Sequence, residues 1–124
     1  MKLGQEYYGE FIRDLTQSDK SVFLRFDEGM LELVDAGQSC CEKRYFKTED
    51  DLSDLIGERL VRIELVGAAG SSTGVDEDDV LDWTFLKITT DRQQVSITAY
   101  NSHNGYYAGF DITAVSWHNG KPNG

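Results

Sequence analysis

Over Arg59 to Val66 and again over Val95 to Tyr100 the apolar residues recur at every second position, and that period of two restricts these runs to sheet structure. Val61, Ile63 and Leu65 alternate with Arg62 and Glu64, and Val95, Ile97 and Ala99 alternate with Ser96, Thr98 and Tyr100. Successive side chains of a strand point to opposite faces, so the pattern buries one face and wets the other. Leu81 to Thr90, between these runs, is rich in the Trp, Phe, Ile and Thr that strands favour. The connections read as a Gly/Ser loop over 67–79, acidic at Asp76-Glu77-Asp78-Asp79, and a turn at Asp91-Arg92-Gln93. Asn104-Gly105 carries the strongest short hairpin signal, with Tyr106 to Val115 as the returning strand of a long meander.

The first half mixes periods. Leu3, Tyr7, Phe11 and Leu15 fall four apart with Tyr8 and Ile12 beside them, which predicts an amphipathic helix over 3–16. Val22, Leu24 and Phe26, then Leu31 and Leu33, flank Asp27-Glu28-Gly29 and predict a hairpin. Lys43 to Lys47 reads as a short strand. Thr48 is placed as an N-cap, Glu49, Asp50 and Asp51 suit a first helical turn, Leu52, Leu55 and Ile56 offer a buried face, and Gly57 ends it. These signals predict a second helix over 49–56. The polar tail from His118 reads as loose. The expectation is one α+β domain over 1–124: an antiparallel sheet of about five or six strands with an N-terminal helix and a short second helix.

Charge narrows the partners. Twelve Lys+Arg against 22 Asp+Glu leave a net charge of −10, opposite to the balance that phosphate contacts along a duplex require. Direct duplex binding is therefore not expected. An acidic surface suits solubility, or contact with a basic protein. No run approaches the about 18–20 apolar residues of a membrane span, and the N-terminus lacks an apolar signal core. The chain reads as soluble and cytoplasmic, with Cys40 and Cys41 reduced.

Motifs that carry catalysis fail one by one. Cys40, Cys41, His103 and His118 lack the ligand spacing of a zinc site. Gly67 to Gly74 is Gly-rich but lacks the Lys-Ser/Thr of a phosphate loop and joins two strands. There is no Gly-x-Ser-x-Gly, and a pair such as Glu42 with Asp111 does acid–base work only if burial raises one pKa. The expectation is a binding protein that is not an enzyme and uses no cofactor. The richest cluster is His103-Asn104-Gly105-Tyr106-Tyr107 with Trp83, Phe85 and Tyr100 on the strands before it. Flat rings that stack on bases, with amide, imidazole and hydroxyl groups beside them, suit a nucleotide-like ligand. The same rings also suit the core beneath a hairpin.

From Cys40 to Asp111 the chain resembles a family of small proteins found in phages and prophages. The elements are Cys40-Cys41-Glu42, Asp51-Leu52 through Leu55-Ile56-Gly57, Trp83-Thr84-Phe85 and Asn104-Gly105-Tyr106-Tyr107. The resemblance brings no catalytic residues. It implies a role against host defence, in the host cytoplasm, by one of two routes. In the first, the protein sequesters a cyclic nucleotide-derived immune signal without cleaving it. Tyr106 or Tyr107 would stack on a base, Asn104 or His103 would read its edge, Trp83 would add a ring, and Arg44 or Arg62 would meet a phosphate. In the second, the acidic runs Glu49 to Asp54 and Asp76 to Asp79 cover a basic groove on a host nuclease. Sheet edges that need cover add the expectation of a homo-oligomer.

Overall fold

The computed structural model describes residues 2–36, 42–73, 80–103, 110–118 and 121–123. They form two antiparallel sheets facing one core. The first sheet runs β1 (Asp14–Gln17), β2 (Ser21–Arg25), β3 (Gly29–Asp35) and β8 (Ile112–His118), with the three-residue β9 (Lys121–Asn123) at its edge. The second runs β4 (Glu42–Lys47), β7 (Gln94–His103), β6 (Val80–Thr90) and β5 (Leu60–Thr73). The chain therefore crosses between sheets twice, from β3 to β4 and from β7 back to β8.

The period of two decides which residues meet. Leu24 on β2 lies opposite Leu31 on β3, and Val22 opposite Leu33. Ile63 on β5 lies opposite Ile88 on β6, and Leu86 opposite Ile97 on β7. All of these are fully buried and belong to one apolar cluster drawn from both sheets. Burial of a side chain of this size stabilises by about 1.5–3 kcal/mol, so the interleaved faces are the main source of cohesion.

The expected α+β class is overturned: the fold is mostly β, and the two predicted helices shrink to single 3-10 turns at Gln5–Tyr7 and Leu52–Leu55. In the first, Gly4 and Gly9 hold φ of 65° and 95°, a left-handed conformation that no right-handed helix continues through. The segment instead runs along β5. Leu3 N donates to Ile63 O at 2.9 Å, Gly9 N to Leu60 O at 2.7 Å, and Ile12 N to Glu58 O at 2.9 Å. Leu3, Tyr7, Ile12 and Leu15 are buried as the spacing demands, but Phe11 is 39% exposed, so the four-residue period reflects turns and not a helical face. In the second, Asp51 and not Thr48 is the N-cap, accepting from Ser53 N, and Ile56 stands 43% exposed. The Thr48 hydroxyl donates to Ser96 O at 2.8 Å, pinning this segment to β7.

Four further expectations change. The hairpin β2–β3 forms as read, but β7 and β8 lie in different sheets, so the strands flanking Asn104-Gly105 are not a hairpin pair. β5 continues to Thr73 through the stretch expected to be loop, with register shifts between Leu60 and Arg62 and between Val66 and Gly70. The first shift turns Val61 outward, against its expected burial. The tail pairs in part, with His118 opposite Lys121. Among the described residues, no helix is long and apolar enough to cross a membrane.

Part of each edge of the second sheet is covered by the chain itself. The N-terminal segment lies on β5, with bridges Lys2 to Glu64 and Phe11 to Arg59. The β1–β2 turn lies on β4, where Phe46 N donates to Asp19 O at 2.9 Å, the Gln17 amide to Phe46 O at 3.1 Å, and Lys20 Nζ to Arg44 O at 2.9 Å.

Candidate functional site

The outer face of the second sheet carries a row of aromatic rings. On β4, Arg44 and Phe46 are buried, so Lys43, Tyr45 and Lys47 point outward. On β7, buried Ala99 and Asn101 put Tyr100 on the same outer face, and on β6, buried Thr84 and Leu86 do so for Trp83 and Phe85. Register aligns them: Tyr45 lies opposite Tyr100, and Tyr100 opposite Trp83. Three rings on three adjacent strands thus form one line, all half-buried. The Tyr45 and Tyr100 rings stack with centroids 5.1 Å apart and planes 19° from parallel. Lys43 Nζ and Lys47 Nζ sit 5.7 Å and 5.6 Å from the Tyr45 ring centroid, within cation–π range. Burial, and then the neighbouring Tyr100 phenol, push the Tyr45 pKa up from its ordinary value.

At the Lys47 end the row opens into a cavity of about 470 Å³. Tyr100, Thr98 and Ser96 of β7 form one wall, Phe46 to Asp50 a second, and Gln17 and Asp19 of the β1–β2 turn a third. Its walls are held by hydrogen bonds that consume donors. The Thr48 hydroxyl donates to Ser96 O, Ser96 N donates to Asp50 Oδ2 at 3.0 Å, and the Gln17 amide donates to Ser18 O and Phe46 O. The carboxylates of Asp19 and Glu49 are exposed.

The residues singled out from the sequence separate. Trp83 belongs to the aromatic row. Arg44 does not: its side chain points into the sandwich, where Nη1 donates to Asp35 Oδ1 at 2.8 Å, and it lies opposite buried Asn101. Arg62 lies on the outer face of β5 opposite Thr89, paired with Glu64 at 2.9 Å. Thr89 is six residues along β6 from Trp83, roughly 20 Å at strand rise. Asn104, Tyr106 and Tyr107 lie outside the described residues, as do Cys40, Cys41, Asp76, Asp78 and Asp79, and so does the side chain of His103, which ends β7. Of the proposed acid–base pair, the Glu42 side chain is outside the description and Asp111 is exposed. Among the described residues, no three His, Cys, Asp or Glu side chains are grouped to hold a metal ion.

Sequence reading passed over Tyr45, Lys43 and Lys47. The signal was there: in Lys43-Arg44-Tyr45-Phe46-Lys47 the two lysines and the tyrosine occupy alternate positions, one face of a short strand. Only strand order shows that this face continues onto Tyr100 and Trp83.

No curated protein and no solved structure matches the chain. Residues 4–112 match the family model described as a domain of unknown function, DUF7448. That match covers most of the two-sheet sandwich and the whole aromatic row, and the chain belongs to the DUF7448 family.

Proposed function

We propose that this protein is a non-catalytic binding protein that takes a nucleotide-like ligand on the outer face of its second sheet. The observation that carries the reading is the stacked pair Tyr45 and Tyr100 in line with Trp83, rimmed by Lys43 and Lys47 and opening into a cavity. Flat rings accept the π-face of any base, and base–aromatic stacking is worth about 1–3 kcal/mol per base. Two ammonium groups beside the rings supply the positive charge that a phosphate needs, on a protein whose net charge is −10. Tyr45, Tyr100 and the two lysines thus join Trp83 in the proposed site, Arg44 and Arg62 lie away from it, and Tyr106 and Tyr107 lie outside the described residues. Sequestration of a cyclic nucleotide-derived signal is the finer form of this proposal, motivated by the resemblance to phage proteins.

The test is calorimetry against cyclic dinucleotides, cyclic trinucleotides, cyclic ADP-ribose isomers and simple nucleoside monophosphates, followed by heat release of whatever is bound. Binding that Tyr100→Ala weakens, with the intact ligand recovered, supports the proposal. A cleaved product makes the protein an enzyme, and no heat from any member removes the reading.

The acidic surface supports a second reading, inhibition of a host nuclease by covering its basic groove. Glu49, Asp50, Asp51 and Asp54 are all exposed along one short segment. Such binding weakens steeply with salt. Inhibition unchanged after Glu49, Asp50 and Asp54 are all replaced by Lys would take this segment out of the case. A homo-oligomer stays a proposal for light scattering to measure.

A further inference from the structure

We infer that the ligand of this face is a short single strand of nucleic acid, two or three nucleotides laid across the strands of the second sheet. The inference rests on the nucleotide reading above and names the ligand class within it. Two independent features of the outer face carry it, the spread of its rings and the sign of its charge. Register lays the outward residues out as a grid. One row runs Tyr45, Tyr100 and Trp83 over β4, β7 and β6. The next, two residues along each of these strands, runs Lys47, Thr98 and Phe85, with Val66 of β5 beside Phe85. Beyond it Lys87 lies between Ser96 and Glu64. Aromatic rings are thus spread over three strands, with Tyr45 and Trp83 two strand spacings apart, roughly 10 Å. One base covers one end of such a row, and the other rings remain for its neighbours. Outward rings on a four-stranded antiparallel sheet that stack two or three successive bases are a general solution for single strands.

The charge of this face is opposite to that of the chain. Among the described residues directed outward from the sheet, Lys43, Lys47, Lys87 and Arg62 are cations and Glu64 is the anion. Glu64 pairs with Arg62 at 2.9 Å, which leaves the three lysines as the net charge of the face, on a chain whose net charge is −10. The lysines stand on both sides of the rings, Lys43 and Lys47 on β4 and Lys87 on β6, as a phosphate backbone crossing the strands requires. The exposed carboxylates of Asp19, Glu49 and Asp50 border the cavity past Lys47 and turn such a backbone away from that end, onto the sheet. A duplex keeps its base faces within its own stack, out of reach of these rings, so the strand is single.

Calorimetric titration of thymidine monophosphate and of oligothymidylates of two to five nucleotides tests this. Affinity should rise about tenfold with each nucleotide up to three and change little at four and five. For the pentanucleotide, log K should fall against log salt with a slope of about −2, at about 0.7 per phosphate neutralised by the three lysines. Lys87→Gln should make that slope shallower by about 0.7. Phe85→Leu should weaken the trinucleotide about tenfold and leave the monophosphate unaltered. Lys87 is on the surface and leucine fills much of the space of phenylalanine, and thermal melting checks that both variants fold. Equal affinity across the series, or no binding to it while a cyclic nucleotide binds, overturns this inference and leaves the nucleotide reading standing. A blunt duplex that binds as tightly as the pentanucleotide also overturns it. Failure of every nucleotide, cyclic, monomeric or oligomeric, to bind overturns both.

Discussion

Asp35, the last residue of β3 in one sheet, accepts a hydrogen bond at 2.8 Å from the guanidinium of Arg44 on β4 in the other, and both side chains are more than nine-tenths buried. The same Asp35 oxygen accepts from Asp111 N at 3.0 Å, immediately before β8 begins. One carboxylate therefore ties together the start of β8, the end of β3 and the strand that opens the second sheet. It also removes Arg44 from the surface, which is why this arginine is not available to a phosphate.

Breaking that pair should be costly. Arg44→Met leaves Asp35 charged and buried without its cation, a change that typically destabilises by about 3–5 kcal/mol. The double replacement Asp35→Leu, Arg44→Met should recover part of the loss, because no uncompensated charge remains. Urea denaturation of the three proteins measures both effects; a single Arg44→Met variant as stable as the parent would mean the pair does not secure the crossover.

Ligand binding should follow the aromatic row and not the arginines. Tyr100→Ala and Trp83→Ala should each weaken a bound nucleotide by about 1–3 kcal/mol. Tyr100→Phe keeps the ring and should bind nearly as well. Arg62→Ala, which loses only an exposed ion pair with Glu64, should leave affinity unaltered.

Alkaline and acid limbs of stability have different origins. The folded pKa of Tyr45 is raised above its ordinary 10.0, so its contribution is fully present below that value and is lost as pH climbs through the folded pKa. Tyr45→Phe should flatten the alkaline fall seen in thermal melts. For Asp27, the hydrogen bond from Arg13 holds the pKa below 3.8, so its contribution is present above that value and is lost as pH drops through the folded pKa. Asp27→Asn should reduce the acid sensitivity.

Tyr7 anchors the N-terminal segment to the first sheet. Its ring stacks on Phe26 at 4.4 Å, and its hydroxyl lies 3.0 Å from Ser116 Oγ and 3.2 Å from Trp117 O. Tyr7→Phe should cost about 1–3 kcal/mol by leaving those groups without a partner. Tyr7→Ala should cost about 3–5 kcal/mol through the cavity it leaves. Equal losses for the two would show that the hydroxyl, and not the ring, secures the segment.

Gly4→Ala separates the helical reading of residues 3–16 from the observed turn. If a helix formed there, alanine would stabilise it. With φ at 65° and the Leu31 side chain against the space a Cβ would fill, alanine should instead destabilise by about 1–2 kcal/mol. Chemical denaturation decides the sign.

The amino-acid order alone determined the strands of the β2–β3 hairpin, β6, β7 and the start of β5 and most of their buried face, but it read β1 as helix, residues 67–73 of β5 as loop and Val61 as buried. Val22, Leu24, Leu31, Leu33, Ile63, Leu86, Ile88, Val95 and Ile97 are all core, because a period of two commits alternate side chains to one face whatever the strand pairs with. Local signals misled where two structures share a spacing. Leu3, Tyr7 and Leu15 suit a helix and a turn-linked edge segment equally, and the left-handed glycines at 4 and 9 decide between them only once β5 is there to accept the hydrogen bonds. Strand order was beyond local reading, since β8 pairs with β3 across an intervening sheet and nothing in the sequence between them encodes that choice. The candidate site follows from that order. Tyr45, Tyr100 and Trp83 are separated by up to 55 positions (45 to 100) in the chain, and only the pairing of β4 with β7 and of β7 with β6 aligns their rings into one surface.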